Sequence, residues 1–439
     1  MTSKISKTPK NKTQKNPTIQ GEILEKKEGW ISIHIYGEPY ERGYAHGYLL
    51  ANELKRAKKV LKFLVETEIH VKYSKYAKAS KNLIYPIIEK QYPEFHDELR
   101  GICDGAHRAG AHNISMEFLV EQNAYMTLYQ YFEGVTAERC SAFIACGDAT
   151  EDGKIVMAHN THTDFASGQL FNISMKVTPT KGYEFVMQAS PGLIASSTDW
   201  FITKAGIVGC ETTISSTNYD IKLGVPYFLR IRQAMQYGKS LEDYANIMVK
   251  NNAGDYPCSW QFGDINTNQI MLLELGLKYH NKIIKNSGLF YGMNSAMGFK
   301  LRKLETTDRD NVNVEDSSGA RNARLNYLLY DKYYGKLNAK NAKTIISDHY
   351  DTLHHKPLME GRCVCIHYEN DEWYDYCFAG CTDGKILTSS MAEKMQYEGR
   401  FGSSCGRELN IKEHIRKHPQ HKKWGKVLEN FKNYKWVKL

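Results

Sequence analysis

The chain has 439 residues, 42% apolar and 12% aromatic, with 11 prolines, enough to bury one large core or two ordinary ones; this excludes a disordered, collagen-like or disulfide-stapled protein. The formal charge of +9 first suggests a polyanionic partner, but five of those charges are lysines of residues 1–15 and a net seven lie in residues 412–439, leaving −3 for residues 16–411. The body of the protein is nearly neutral, and lysine runs without interleaved aromatics provide only unspecific attraction to phosphate, so no specific nucleic-acid partner is expected.

Residues 1–20 are rich in Lys, Ser, Thr and Asn and read as a disordered basic tail. No apolar h-region follows the first lysines, and no apolar run approaches the roughly 18 residues a membrane span requires. A cytoplasmic protein without signal peptide or transmembrane helix is therefore expected, and its ten cysteines are expected to be reduced.

Residues 21–139 read as a mainly helical segment. From Glu41 to about Val120, as in LLANELKRAKKVLKFLVETEI and YPEFHDELRGICDGAHRAG, apolar residues recur at three- and four-residue spacing. The text changes at residue 140. SAFIACG, DATEDG and KIVMAHN together read as a β-hairpin, and YEFVMQAS, AGIVGCETTI, SWQFGDI and QIMLLELG read as further strands. Helical text returns at PYFLRIRQAMQYGKSLEDYANIMVKN and ARNARLNYLLYDKYYG. Strands and helices in separate runs predict an α+β fold of layered sheets flanked by helices over residues 140–439, with no βαβ repeat. Cys363, Cys365, Cys377 and Cys381, near His354, His355 and His367, raise a zinc reading. Spacings of one and three residues inside apolar, strand-like text fit core thiols better. A metal reading of His349, His354 and His355 is likewise weaker than surface and loop positions.

Cys140 heads the first strand of the hairpin, in AERCSAFIACG. With its surroundings it resembles the cysteine N-terminal-nucleophile (Ntn) hydrolases: penicillin acyltransferase, bile-salt hydrolase, penicillin V acylase and the phospholipase B-like proteins. GEPYERGYAHGYLLANEL looks like their glycine-rich propeptide lead-in, and MAHNTHTDF falls where relatives place an aspartate that binds the nucleophile's α-amine. In this chain His162 stands at that position and Asp164 follows two residues later, a departure from the bile-salt-hydrolase pattern and closer to the phospholipase B-like version. GLFYGMNSAM places Asn294 at the family's oxyanion asparagine, and EDSSGARNARLNYLL places Arg321 at its arginine beside the nucleophile. Thr213 falls near an oxyanion-hole position.

The resemblance implies a four-layer αββα sandwich, preceded by a helical propeptide segment, that cuts itself between Arg139 and Cys140. It implies a catalytic set of Cys140, Asn160, His162, Asp164, Asn294 and Arg321, with Thr213 as an oxyanion or substrate contact, and no metal or organic cofactor. The freed α-amine, with a pKa of about 7.7–8.0, would take the proton of a thiol near 8.5. The implied reaction is hydrolysis or transfer of an acyl amide through a thioester, with two associated fragments and a small-molecule or lipid acyl substrate. A phospholipase B-like ester or lipid deacylase is the alternative within the enzyme class. An inactive core whose basic ends bind nucleic acid or an anionic membrane is the alternative outside it.

Overall fold

A computed structural model describes residues 18–133, 139–222, 224–307, 311–371 and 379–439, with the side chain of Arg139 also outside the description. The residues implied to precede the cleavage point, 134–138, and Cys377 of the cysteine group therefore lie outside the described residues, as do residues 1–17 of the basic tail.

Two large sheets organise the chain. The nine-stranded sheet runs in the order Gly21–Lys27, Trp30–Gly37, Ile173–Pro179, Phe185–Ala189, Phe201–Thr203, Ile207–Thr213, Cys258–Asp264, Gln269–Leu275 and His280–Lys285. The six-stranded sheet runs Gly288–Gly292, Arg139–Cys146, Val156–Asp164, Ala379–Thr388, Glu398–Phe401 and Val437–Lys438. Trp30–Gly37 pairs in parallel with Ile173–Pro179, and the hairpin around Cys140 is antiparallel.

Side-chain alternation along the strands builds the layers. Ala142, Ile144 and Met157 of the smaller sheet meet Val186, Ile202, Val208 and Leu272 of the larger one in a core between the sheets. Phe143, Ala145 and Ala158, one position out of phase, pack with Leu325, Leu328 and Ile345 of helices outside the smaller sheet. Ile33, Met175, Met187 and Phe262 of the larger sheet pack with Leu54, Leu61, Leu99 and Phe228 of helices on its far side. The result is the expected four-layer αββα arrangement. One element departs from the expectation: Gly21–Lys27 and Trp30–Gly37 form a hairpin, so the segment 21–139 is helical only beyond it. Ile31, Ile33 and Ile35 alternate into the core, which is the period-2 signal of a half-buried strand.

The glycines of the lead-in segment have a packing role. Helix Pro39–Leu49 crosses helix Pro93–Arg108 with Gly43 and Gly47 facing Gly101 and Gly105. A Cβ at Gly43 would sit 2.0 Å from the Glu98 carbonyl, and one at Gly105 would sit 2.0 Å from the Tyr44 carbonyl. Gly105→Ala is therefore expected to destabilise the protein by about 2 kcal/mol, because an overpacking cost of about 3 kcal/mol exceeds the ~1 kcal/mol gained in helix propensity. A lowered urea midpoint at unchanged m-value checks this; an unchanged or raised midpoint contradicts it.

The same helix pair carries a buried ionic cluster. Arg42 Nε donates to Glu98 Oε2 at 2.7 Å, and Arg232 Nη1 and Nη2 donate to the two oxygens of that carboxylate at 3.0 and 2.9 Å. Arg42 also reaches Glu94 at 2.9 Å, and Arg232 reaches the Ile194 carbonyl at 2.7 Å. Burial alone would raise the Glu98 carboxyl, but Arg232 and Arg42 outweigh it and hold it at about 2. At the other end of the chain, Trp424 and Phe431 are buried, so the basic C-terminal region is packed into the fold. Among the described residues no helix is long and apolar enough to cross a membrane.

Candidate active site

Cys140 sits at the head of strand Arg139–Cys146, opposite Thr161 of its hairpin partner. Its side chain is 3% exposed and lies on the inter-sheet side, in phase with Ala142 and Ile144. The main chain of this residue is held at both polar groups. Cys140 N–H donates to Asn294 Oδ1 at 2.9 Å, and the Cys140 carbonyl accepts from Arg321 Nη1 at 2.7 Å. Arg321 also donates to Asn294 Oδ1 at 3.0 Å and to the Ser141 hydroxyl at 3.2 Å. Its Nε bonds the Ser317 carbonyl and hydroxyl, both at 3.2 Å. Arg321 is one turn along helix Ser317–Asn326 from Ser317, which gives the Ser-Ser-x-x-Arg spacing a structural reason. Arg324, three residues further, makes a bidentate pair with Asp348 at 2.8 and 2.7 Å.

Asn294 bridges the two sheets. Its side-chain Nδ2 donates to the Thr213 carbonyl at 2.8 Å, joining the end of strand Ile207–Thr213 to the head of the cysteine strand. Its backbone φ is +77°, in the left-handed region that asparagine tolerates better than most residues. The expected role as an oxyanion donor is thus only part of what Asn294 does: its oxygen accepts from the Cys140 nitrogen, and one of its two amide N–H groups is used on Thr213. Thr213 meets the site through its carbonyl. Its hydroxyl is 3.3 Å from the Tyr256 hydroxyl.

The residues expected to hold the α-amine divide between two faces. Asn160 Oδ1 accepts from Ser141 N–H at 3.1 Å, and its Nδ2 donates to the carbonyls of Ile346 at 2.8 Å and Val364 at 3.1 Å. Asn160 therefore positions the cysteine strand from its outer side. His162 is buried and opposite Arg139 in the ladder, in phase with Asn160 and out of phase with Thr161, so strand alternation directs it away from the thiol. Asp164 lies three residues past Thr161, ~10 Å along the strand. Its Oδ1 caps the short helix Phe165–Gly168 through Ser167 N–H at 2.7 Å, and burial pushes its carboxyl up. The structure does not bring Asp164 to the Cys140 nitrogen; Asn294 Oδ1 occupies the accepting position there.

Two residues that the sequence reading did not place at the site lie beside the thiol. Cys140 Sγ, a ring nitrogen of His159 and a carboxylate oxygen of Glu211 are all within 4.8 Å of one another, and all three residues are buried. The Glu211 backbone also lies beside the His159 ring and favours its protonated form, but weakly. Burial, then the nearby Lys385 and His162, push the imidazole far below its usual range, so His159 is neutral at physiological pH. The signal that finds His159 is hairpin register: two residues before Thr161, it falls on the same side as Cys140. Glu211 is legible only as an acid inside an apolar strand, AGIVGCETTI. These three groups have the donor types to ligate a cation, and as a thiol, a neutral imidazole and a carboxylate they can equally move a proton from sulfur.

Below Thr161, Lys385 Nζ bonds Asp383 Oδ1 at 2.6 Å and the Thr161 hydroxyl at 2.8 Å, while Asp383 Oδ1 accepts Thr161 N–H at 3.2 Å. Lys385 is also 3.4 Å from the Thr198 hydroxyl. Thr198 follows Ser196 and Ser197 in the chain, and those two serines are part of the polar lining of a cavity whose walls include Val60, Leu61, Leu64, Leu193 and Phe228.

Comparison with known proteins adds to this geometry. The phospholipase B family matches residues 89–273. A protein of Archaeoglobus fulgidus described as uncharacterized is 28% identical over 279 residues, 57% of this chain; the match spans only 44% of that relative's own length. Among solved structures, a mutant conjugated bile acid hydrolase from Clostridium perfringens aligns at 13% identity over 60% of this chain and 89% of its own, with a TM-score of 0.35. Penicillin V acylase from Agrobacterium tumefaciens aligns at 12% identity over 59% of this chain and 82% of its own, with a TM-score of 0.31. The phospholipase B match contains Cys140, Asn160 and Thr213, so the resemblance to phospholipase B-like hydrolases read from the sequence is borne out over residues 89–273.

Proposed function

We propose that the protein is a self-activating cysteine hydrolase acting on acyl amides. The observation that carries this reading is the Cys140 nitrogen: it is paired with Asn294 Oδ1, next to a thiol that shares its pocket with His159 and Glu211. In the uncut chain, neutral His159 accepts the thiol proton and Cys140 Sγ adds to the Arg139 carbonyl carbon. The bond from that carbon to Cys140 N breaks, the nitrogen takes the proton, and water hydrolyses the resulting thioester. This frees the Arg139 carboxylate, the thiol and a new α-amine. Asn294 Oδ1 then accepts a hydrogen bond from that amine, as it does from the peptide N–H.

The same chemistry turns over substrate. The α-amine takes the thiol proton, Sγ attacks the acyl carbon, and the amine leaving group departs with the proton. Water then releases the acid, or a second amine takes the acyl group. The remaining amide N–H of Asn294 is the donor assigned to the developing oxyanion. The apolar walls of the cavity lined by Leu61, Leu193 and Phe228 suit an acyl chain. The phospholipase B match favours a second reading, ester cleavage on a lipid, by the same nucleophile.

Denaturing intact-mass spectrometry is expected to find fragments of 139 and 300 residues divided before Cys140, and Cys140→Ala is expected to stay whole. A thiol-directed acyl probe should label the larger fragment at Cys140, and rates on a panel of acyl amides and lysophospholipids separate the two readings. An uncut wild-type chain that the probe also leaves unlabelled ends the proposal.

A further inference from the structure

On the outer side of the smaller sheet, away from the thiol pocket, four side chains from three separate loops converge. His349 follows helix Ala339–Ile346, Cys365 and His367 precede the turn Tyr368–Asn370, and Cys405 follows strand Glu398–Phe401. One ligand atom from each of these four residues lies within 4.8 Å of the others. His349 Nε2 and His367 Nε2 are 3.1 Å apart, and His367 Nε2 is 3.5 Å from Cys365 Sγ and 3.4 Å from Cys405 Sγ. A tetrahedron with metal–sulfur bonds of about 2.3 Å and metal–nitrogen bonds of about 2.05 Å has nitrogen–nitrogen and nitrogen–sulfur edges of about 3.3–3.6 Å. The three distances around His367 Nε2 match those edges to within a few tenths of an ångström.

We propose that His349, Cys365, His367 and Cys405 form a structural zinc site. The ligand set is two sulfurs and two imidazoles in one compact grouping, which selects zinc over the oxygen-seeking cations. The outer layer is built as such sites require. His367 turns Nε2 toward the cluster because its Nδ1 is held by Glu369 Oε1 at 2.7 Å, the carboxylate that orients a ligating imidazole. The Ser404 hydroxyl donates to the Ile346 carbonyl at 2.7 Å and lies 3.1 Å from Cys365 Sγ, which ties the cluster to the loop that seats Asn160. Of the neighbouring cysteines, Cys363 Sγ faces the carbonyls of Glu360 and Cys365 at 2.9 and 2.8 Å, and Cys381 Sγ faces the Asp383 carbonyl at 3.3 Å and the Ser404 hydroxyl at 3.5 Å. Those two are the core thiols that the sequence reading favoured, whereas Cys365 leaves that group and finds partners 40 residues away and across two loops.

With four protein ligands the site has no open position, which marks it as structural. Binding forms two Zn–S bonds and releases the two thiol protons to solvent. Its mechanical effect reaches the nucleophile strand, because Val364 and Ile346, whose carbonyls hold Asn160, are within three residues of ligands Cys365 and His349. Zinc closes the loops that seat Asn160 beneath Ser141.

Elemental analysis of the full-length protein, purified without chelator, is expected to find about one zinc per chain. Exchange into cobalt(II) should produce thiolate charge-transfer absorption and the intense visible bands of a tetrahedral centre. Cys405→Ser should lose most of the zinc and alter the cobalt spectrum, whereas Cys363→Ser and Cys140→Ala should keep both. The cobalt spectrum of the wild-type chain tests the site even where Cys405→Ser does not fold. A wild-type chain that holds no zinc and gives no tetrahedral spectrum with cobalt overturns the proposal. So does a Cys365–Cys405 disulfide in the native protein, or full metal content after Cys405→Ser.

Discussion

Arg321→Met is expected to slow cutting at Cys140 by about 10²–10³-fold, the usual effect of removing one preorganised donor from a reacting centre. The guanidinium touches the Cys140 carbonyl, the Ser141 hydroxyl and Asn294 Oδ1 at once. Without it the buried Cys140 carbonyl loses a partner and Asn294 Oδ1 keeps only the Cys140 N–H, so the thiol and nitrogen lose part of what fixes their orientation. Unsatisfied buried acceptors add a stability cost of about 1–3 kcal/mol each. Arg321→Lys should recover little, since a single ammonium cannot reproduce a planar fork that reaches three acceptors. The cut fraction against time, by mass spectrometry on protein shown to be folded by circular dichroism, is the measurement. Cutting at more than half the wild-type rate in a folded Arg321→Met chain would contradict the positioning role.

The second large effect belongs to Glu98. Its carboxylate is shared by Arg42 and Arg232 in the buried crossing of three helices, and Glu98→Gln leaves two buried guanidiniums without their common counter-charge. Breaking a buried ion cluster from one side costs about 3–5 kcal/mol. Because the folded carboxyl is depressed to about 2 from an ordinary 4.5, its contribution is fully present above the unfolded value and is lost as pH falls from there toward 2. Urea unfolding of the wild type should show a midpoint that drops between pH 5 and pH 3. In Glu98→Gln the midpoint should already be low at pH 7, with less further loss over that interval. Parallel pH profiles for the two proteins would show that Glu98 is not the titrating group.

Much of the architecture could be read locally. The 3- and 4-residue spacing in LLANELKRAKKVLKFLVETEI dictates an amphipathic helix, and the hairpin around Asp152-Gly153 follows from turn chemistry between two apolar runs. Cys140, Asn294 and Arg321 were visible because each lies in a short motif whose spacing is set by one element: a strand head, a strand end or a helix turn. His162 and Asp164 lie off the thiol's side of the strand, a placement the motif does not carry because it gives residue order and not face. In an antiparallel ladder one position exchanges the inter-sheet side for the outer side, and that step separates His159, beside the thiol, from Asn160 and His162 behind it.

By itself, the sequence determined the layer composition, the place of Cys140 at a strand head and the chain's near-neutral body, since these depend on composition, periodicity and contiguous motifs. Only the tertiary structure decided which polar groups meet. Asn294 reaches Cys140 across 154 positions, and Glu211 approaches from the opposite sheet. Cys405 joins His367 across 38 positions rather than pairing with the cysteines nearest in sequence. The physical reason is that strand register and sheet stacking set those distances, and both are properties of the packed core as a whole.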